Sequence, residues 1–474
     1  MLSQHISRRI ASHMGFVPTA EQQTLLDKLG VFLVDPHSET LFVLNGYAGT
    51  GKTTVVAALV RTLQELGQAV ALLAPTGRAA KVMAAYSGHA AYTIHKKIYR
   101  QATMRDGVGK FSLNMNQQSN AVFVVDEASM ISNSSAEQSV FGSGRLLDDL
   151  VTFVRTGKNC RLVLVGDSAQ LPPVGLATSP ALDAGCLSFY GKSEHTFLRE
   201  VVRQAKSSGI LHNATHIRER IEAGGQGFPH LQHGEFPDVH RLSGAELVDT
   251  LSTAYGKHGL DSVMVITRSN KQANRYNAGI RAAILGKEEE IVQGDRLMVV
   301  KNSYSWIEQD AELSKEVDFI ANGDIVELRR IRKYREMYGF RFADATIALP
   351  DYNNVELDCR LMLDTIGMES AALNAGQSKL LFAKVQEDYA HVTPASKRYA
   401  AIKADPFFSA LQVKHAYAVT CHKAQGGQWK AVFVDHGYLT DEMVNVEFLR
   451  WLYTALTRAT EQLYLVNFDK RFFE

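Results

Sequence analysis

Runs of four or five uninterrupted apolar residues, each followed by glycine, acid or hydroxyl side chains, recur along this chain. Leu41-Phe-Val-Leu44 leads into Asn45-Gly46, and the run 69–74 leads into Pro75-Thr76. Ala121-Val-Phe-Val-Val125 precedes Asp126-Glu127, and Arg161-Leu-Val-Leu-Val165 precedes Gly166-Asp167. None alternates between apolar and polar, so each reads as a strand buried on both faces in a helix-covered parallel sheet. Helical stretches separate them: residues 53–66 are rich in Ala, Val and Leu and stop at Gly67, and residues 77–83 follow the second strand. The same pattern returns in Ser262-Val-Met-Val-Ile266, Lys430-Ala-Val-Phe-Val434 and Gln462-Leu-Tyr-Leu-Val466, which predicts a second α/β core built from non-contiguous pieces. Two stretches break the rhythm. Residues 291–409 carry short strands and charged turns, such as Arg296-Leu-Met-Val-Val300, Asp324-Ile-Val-Glu-Leu328 and Ala345-Thr-Ile-Ala-Leu349, and read as a β-rich insertion. Residues 96–120 form a smaller insertion with a hairpin signal at Asp106-Gly-Val-Gly109.

Composition adds boundaries to this picture. A length of 474 residues predicts roughly three domains. Lys plus Arg number 51 against 50 Asp plus Glu, which excludes a uniformly basic nucleic-acid binder but leaves room for a local cationic track. Cys160, Cys186, Cys359 and Cys421 form no C-x-x-C pair and no zinc-ligand spacing, so reduced thiols of an intracellular protein are expected. No signal-peptide core follows the first residues, and no apolar run is long enough for a membrane span. A soluble, cytoplasmic chain without membrane contact is the expectation.

Candidate chemistry gathers where the strands end, as it should in an open α/β sheet. Gly46-Tyr-Ala-Gly-Thr-Gly51-Lys52-Thr53 fits G-x-x-x-x-G-K-[ST] between a predicted strand and a predicted helix. Backbone N–H groups of such a loop converge on phosphate, aided by the positive end of the helix. Gly46, Ala48, Gly49, Thr50, Gly51, Lys52, Thr53 and Thr54 are therefore the nucleotide-contact candidates, with Lys52 reaching the β- and γ-phosphates and Thr53 a Mg²⁺ ligand. Asp126 is the second candidate for Mg²⁺, and Glu127 for polarising the attacking water; two carboxylates at a strand end can also be merely solvated. Gln170 lies near the γ-phosphate if its strand neighbours that of Asp126; otherwise it belongs to a polar turn before Pro172-Pro173. Phosphoryl transfer gains from a cation supplied by a second unit. Arg203 and Arg458 are the candidates, the latter in the almost uncharged run Tyr453-Thr-Ala-Leu-Thr457-Arg458-Ala, where a buried charge requires a partner. Snorkelling at a domain surface is the plainer alternative for both.

The ordered blocks 46–53, 74–81, 126–129, 166–173, 202–204, 417–426 and 453–459 resemble those of the superfamily 1 helicases, in the RecD/Dda-like 1B branch. The resemblance implies two RecA-like parallel-sheet motor cores with a small hairpin insertion and a β-rich SH3-like insertion. Residues 1–95 and 121–195 would form the first core, 96–120 the hairpin, 196–290 and 410–474 the second core, and 291–409 the SH3-like insertion. It also implies ATP hydrolysis with Mg²⁺, 5′→3′ movement on single-stranded DNA, and unwinding at single-strand/duplex junctions by a chain that works as a monomer. Replication or recombination proteins are the implied partners, and replication, recombination or repair the implied role. Gln22 would contact adenine, and Gln425 and Gly426 would link ATP state to DNA. Cys421 replaces the more usual small or hydrophobic residue before His422-Lys423, placing an oxidisable thiol near the DNA path.

Near-neutral charge requires the DNA-facing cations to be focused. Pro75, Thr76, Arg78 and Lys81 are candidates in the first core, and the family places His95 where DNA leaves it; a helix-surface histidine would look the same. Thr267, Arg268, Asn270, Thr420, His422 and Lys423 supply hydroxyls, an amide and cations in the second core. In the hairpin, Phe111 or Met115 would stack on the first base pair. Residues 327–341 hold six Arg/Lys against two acids and suit either DNA contact or a solvated ribbon. An RNA-directed or protein-displacing motor, and an ATP-switched DNA-binding module without movement, are the competing functions. No separate acidic cluster points to a nuclease.

Overall fold

The computed structural model of the chain describes residues 2–101, 111–134, 142–202, 207–225, 227–308 and 319–473. The first strands are β1 (Leu41–Gly46), β2 (Val70–Ala74) and β3 (Ala91–Thr93), followed by a hairpin of β4 (Tyr99–Gln101) and β5 (Phe111–Leu113). Then come β6 (Val122–Val125), β7 (Arg161–Gly166) and β8 (Ser193–Leu198). The hairpin aside, these pair in parallel in the order β3-β2-β6-β7-β1-β8. Alternate residues serve two separate cores. Phe42, Val122 and Val163 pack with Leu25, Leu29, Val56 and Leu59 on one face, and Val43, Phe123 and Leu162 with Leu147, Leu150 and Val154 on the other. Both faces being apolar explains the unbroken hydrophobic runs. Since β7 lies between β6 and β1, the three polar strand ends open at one place.

Next in the chain are β9 (Val239–Leu242) and β10 (Val263–Thr267), then β11 (Arg296–Val299), β12 (Ile325–Met337), β13 (Phe340–Leu349), β14 (Val355–Met362) and β15 (Leu411–His415). The last strands are β16 (Ala418–Thr420), β17 (Trp429–Asp435) and β18 (Ala459–Val466). A second parallel sheet runs β16-β10-β17-β18-β9, and β11 to β15 close into a barrel. Two parallel-sheet cores with a barrel insertion are thus the architecture, as the apolar pattern predicts. The barrel reaches past residue 409, because β15 pairs with both β11 and β14. Likewise β8 runs to Leu198, beyond residue 195.

The insertion is less purely β than its texture suggests. Helices Ala375–Asp388 and Ala395–Ala404 lie between β14 and β15, the first opened by a capping box of Asn374 and Gln377. Leu381, Val385 and Ile402 pack with Phe340, Phe342 and Met362 of the barrel. Few of their positions are buried, so the sequence shows no strong helical stripe.

A buried ionic node fastens the barrel to the second core. Asp295 is fully buried and lies 3.0 Å from both Arg281 Nη2 and Lys287 Nζ. It also accepts a 3.0 Å hydrogen bond from the Tyr417 hydroxyl. Burial raises its pKa, but hydrogen bonds from Arg281 and the Val292 N–H outweigh that and hold it below the usual carboxylate range. Asp295→Ala strands the two cations, and a loss of about 3–5 kcal/mol is expected in denaturant unfolding monitored by circular dichroism.

Candidate nucleotide site between the two cores

The phosphate loop leaves β1 at Gly46 and enters helix Lys52–Glu65. Gly49 and Gly51 take φ values of +76° and +87°, which L side chains rarely adopt. A Cβ on Gly51 would lie 2.6 Å from Gln22 Nε2, and one on Gly49 3.0 Å from Leu211 Cδ1. The loop is therefore bounded by Gln22 on one side and Leu211 on the other. Lys52 Nζ donates to the carbonyls of Gly46 at 2.5 Å and Tyr47 at 2.8 Å, poised over the loop's own backbone. Thr50 is buried, while Ala48, Thr53 and Thr54 line the cleft beside Lys52. Gln22 does not line it. Its Oε1 accepts from Thr19 N at 3.0 Å, closing the capping box of its own helix, and its Nε2 donates to Thr50 O at 3.0 Å, so one end of the amide is fixed and the other braces the loop.

Asp126 follows β6, accepting from the Tyr86 hydroxyl at 2.7 Å and the Glu127 N–H at 2.8 Å. Glu127 has φ +51°, a strained conformation for a non-glycine residue and one that recurs at functional sites. Burial pushes its carboxyl above the usual range, opposed by the Arg458 guanidinium. Arg458 reaches across from the second core, with Nη1 3.9 Å from Glu127 Oε1. Its remaining donors meet Thr454 O, Gly427 O and Thr457 Oγ1 at 3.1–3.3 Å. The expected partner of this buried cation thus belongs to the other core. Arg203 lies outside the described residues; nearby, Val202 N donates to Gly49 O at 3.1 Å.

The turn after β7 is gripped by the second core. Asp167 is fully buried, accepting from Ala169 N at 2.9 Å and the Tyr453 hydroxyl at 2.7 Å. The Tyr453 oxygen in turn accepts the Ala48 N–H at 2.8 Å. Thr454 Oγ1 accepts from Leu171 N at 2.8 Å, Gln425 Nε2 donates to Leu171 O at 2.9 Å, and Arg450 donates to Ser168 O. Gln170 lines the cleft, and its buried Oε1 has no hydrogen-bond partner among the described residues. Lys52, Thr53, Asp126, Glu127, Gln170 and Arg458 all surround one cavity of about 570 Å³, a size suited to a nucleotide. Phe16 also lines it, a residue with no sequence signal beyond its hydrophobicity. Tyr453 and Arg450 sit in the helix preceding Arg458, and only their lobe-crossing bonds distinguish them from ordinary helix residues.

The candidates for nucleic-acid contact are less concentrated. Asn270, Thr420 and Lys423 line one small pocket with Lys414. Thr267 is wholly buried beneath it, its hydroxyl donating to Ser269 O at 3.1 Å. His422 is pushed down by burial, against the pull of Glu447. In the first core, Pro75 lies at the end of β2 and Thr76 caps helix Gly77–Ser87 by accepting from Ala79 N. Arg78 stacks on Trp429 of the second core at 4.1 Å, and Lys81 donates to Pro350 O of the barrel at 3.3 Å. His95 is pushed down to about 4 by burial and packs near Tyr99. Arg268 lies over Phe448. Phe111 packs on Tyr304, whereas Met115 is exposed; the hairpin tip, 102–110, lies outside the described residues. Along β12, Arg332 pairs with Asp358 and Arg335 with Asp344, and at the start of β13 Arg341 pairs with Glu290, as a solvated ribbon would. Cys421 departs from the sequence expectation. It is fully buried with its thiol pushed up to about 12 by burial, so it is neither accessible nor easily ionised. All four cysteines are free, and no helix among the described residues is long and apolar enough to cross a membrane.

Residues 33–228 match the AAA domain family, and residues 415–466 match the UvrD-like helicase C-terminal domain. The chain is 27% identical over 462 residues to the ATP-dependent RecD2 DNA helicase of Deinococcus radiodurans, covering 94% of this chain and 48% of that protein. It therefore spans about half the length of that relative. It is 23% identical over 448 residues to the ATP-dependent DNA helicase dda of Enterobacteria phage T4, covering 89% and 93% of the two chains. A crystal structure of Pif1 helicase from Bacteroides with ADP-AlF3 and ssDNA is 14% identical, with a TM-score of 0.47 over 96% of this chain and 94% of that one. The phosphate loop falls in the first matched region and Arg458 in the second, and over nearly its whole length the chain is similar to superfamily 1 helicases of the 1B-like group, RecD2 and Dda among them.

Proposed function

We propose that this chain is an ATP-dependent DNA helicase that hydrolyses ATP between its cores, moves 5′→3′ on single-stranded DNA and opens duplex at junctions. One observation carries the reading: Glu127 of the first core faces Arg458 of the second across the nucleotide-sized cleft, 3.9 Å apart. A site shared between two bodies closes and reopens with its ligand, which converts hydrolysis into relative movement. The RecD2 and phage T4 relatives are both named ATP-dependent DNA helicases, in keeping with this. The direction of movement rests on the family resemblance.

In this reading Lys52 exchanges the Gly46 and Tyr47 carbonyls for the β- and γ-phosphates, while Gln22 steadies the loop through Thr50. Among the described residues no three His, Cys, Asp or Glu side chains form a cation cage. A nucleotide-borne Mg²⁺ needs none, since phosphate oxygens and waters fill most of its shell and one or two protein oxygens suffice. Thr53 and Asp126, both on the cleft wall, fit that requirement and would hold it. Bound there, Mg²⁺ supplies charge neutralisation at the phosphates. Glu127 polarises the attacking water, Gln170 reads the γ-phosphate, and Arg458 and Arg203 stabilise the charge that develops in transfer. Asn270, Thr420, His422 and Lys423, with Pro75, Thr76, Arg78, Lys81 and His95 of the first core, form the single-strand track over which the seam between cores works. Thr267 supports that track from below. The chain acts as an intracellular monomer in replication, recombination or repair.

Unwinding of 5′-tailed, 3′-tailed and blunt duplexes, with DNA and with RNA tails, tests substrate and direction together. Expected is ATP-dependent strand separation on the 5′-tailed DNA substrate alone. Preference for 3′ tails overturns the polarity, stronger ATPase stimulation by RNA favours the RNA motor, and ATP-dependent binding without strand displacement favours a switched binding module.

A further inference from the structure

Tyr453 bridges the two cores at the phosphate loop itself. The ring is fully buried, and its hydroxyl has two partners, both in the first core: the Ala48 N–H at 2.8 Å and Asp167 Oδ2 at 2.7 Å. The direction of these bonds is fixed by chemistry. A backbone N–H can only donate, so the phenol oxygen accepts from Ala48 and its own O–H donates to Asp167 Oδ2. Ala48 lies inside the loop between Gly46 and Lys52, and Asp167 begins the turn that carries Gln170. Among the described residues, no other side chain of the second core hydrogen-bonds both the loop and that turn through one atom. Thr454, one residue on, touches only the turn, at Leu171 N.

We propose that Tyr453 is a positioning residue whose hydroxyl couples the phosphate loop and the Gln170 turn to the second core, so that loop movement on nucleotide binding is passed between the cores. This rests on the ATPase reading above. A bridge of this kind contributes to turnover and its response to DNA while touching neither phosphate nor adenine. Removing it therefore lowers kcat and leaves ATP affinity nearly intact. Tyr453→Phe deletes one oxygen, leaving the Ala48 N–H and the buried Asp167 short of a partner each. Thr454→Val deletes the neighbouring lobe-crossing bond without touching the loop.

The test measures steady-state ATPase with and without single-stranded DNA, fluorescent-nucleotide affinity and melting temperature for the wild type, Y453F, T454V and Lys52→Ala. Expected for Y453F is a fall of roughly 10- to 100-fold in DNA-stimulated kcat, with nucleotide affinity within about 3-fold of wild type, while T454V retains the larger share of the stimulation. Wild-type stimulation in Y453F overturns the inference. So does an equal loss in T454V, which assigns the effect to the interface at large, or a parallel loss of affinity and melting temperature, which makes the role structural only. Turnover surviving in Lys52→Ala instead overturns the placing of ATP hydrolysis at this phosphate loop, on which the inference rests, so the two failures are separable.

Discussion

Lys52→Ala is expected to abolish measurable ATP turnover while leaving most of the nucleotide-free affinity for single-stranded DNA. The ammonium is the cation nearest the loop's phosphate-facing backbone, held there by the Gly46 and Tyr47 carbonyls at 2.5 and 2.8 Å. Its removal takes away a charge that interacts more strongly with the transferring phosphoryl group than with the ground state, a loss of roughly 10²–10³-fold or more in kcat. The candidate DNA contacts lie elsewhere, around Asn270, Thr420 and Lys423, and the substitution leaves them in place. Malachite-green phosphate release and fluorescence anisotropy of a labelled oligonucleotide measure the two properties in parallel. Equal loss of both indicates misfolding or a wrong site, and retained turnover removes the phosphate loop from the mechanism.

Arg458→Ala carries the other large effect. A cation brought to the transferring phosphate by a second body is worth roughly 10³–10⁵-fold in kcat. Arg458 is buried, and three of its contacts are oxygens of its own core, so it is held facing Glu127 before any nucleotide arrives. Turnover should fall far more than nucleotide affinity. The pH profile should move as well, and its direction is fixed. Burial raises the Glu127 pKa, and Arg458 opposes that rise. A carboxylate that must be ionised to polarise water loses activity as pH falls through its pKa. Without Arg458 the pKa climbs further, so the acid limb of residual kcat moves to higher pH. Unchanged turnover refutes the assignment of Arg458. An unmoved acid limb beside reduced turnover separates the arginine's action on phosphate from any action on Glu127.

The loop 46–53 was legible because its chemistry is local: glycines at positive φ, then lysine and threonine at a helix start, need only adjacent residues. Asp126, Glu127 and Gln170 were legible as strand-end residues, since unbroken apolar runs betray β6 and β7. What no local pattern contains is strand order. Gln170 was conditional on β7 lying beside β6, and that adjacency is set by which helices cover which face. The helical pair in the barrel insertion escaped for a related reason: few of its positions are buried, so periodicity is weak where burial is shallow.

By itself, the sequence determined the two-core α/β plan, the phosphate loop and the residue types that serve phosphoryl transfer, because period and local spacing are written along the chain. Only the tertiary structure decided that Arg458 meets Glu127, that Tyr453 holds Ala48 and Asp167 together, that Gln22 braces the loop from below, and that Thr267 and Cys421 are buried. The physical reason is separation along the chain. Those contacts join residues tens to hundreds of positions apart, and they form only when whole elements pack. Partner choice for a buried charge or hydroxyl is then settled by which donors and acceptors the packing brings within reach.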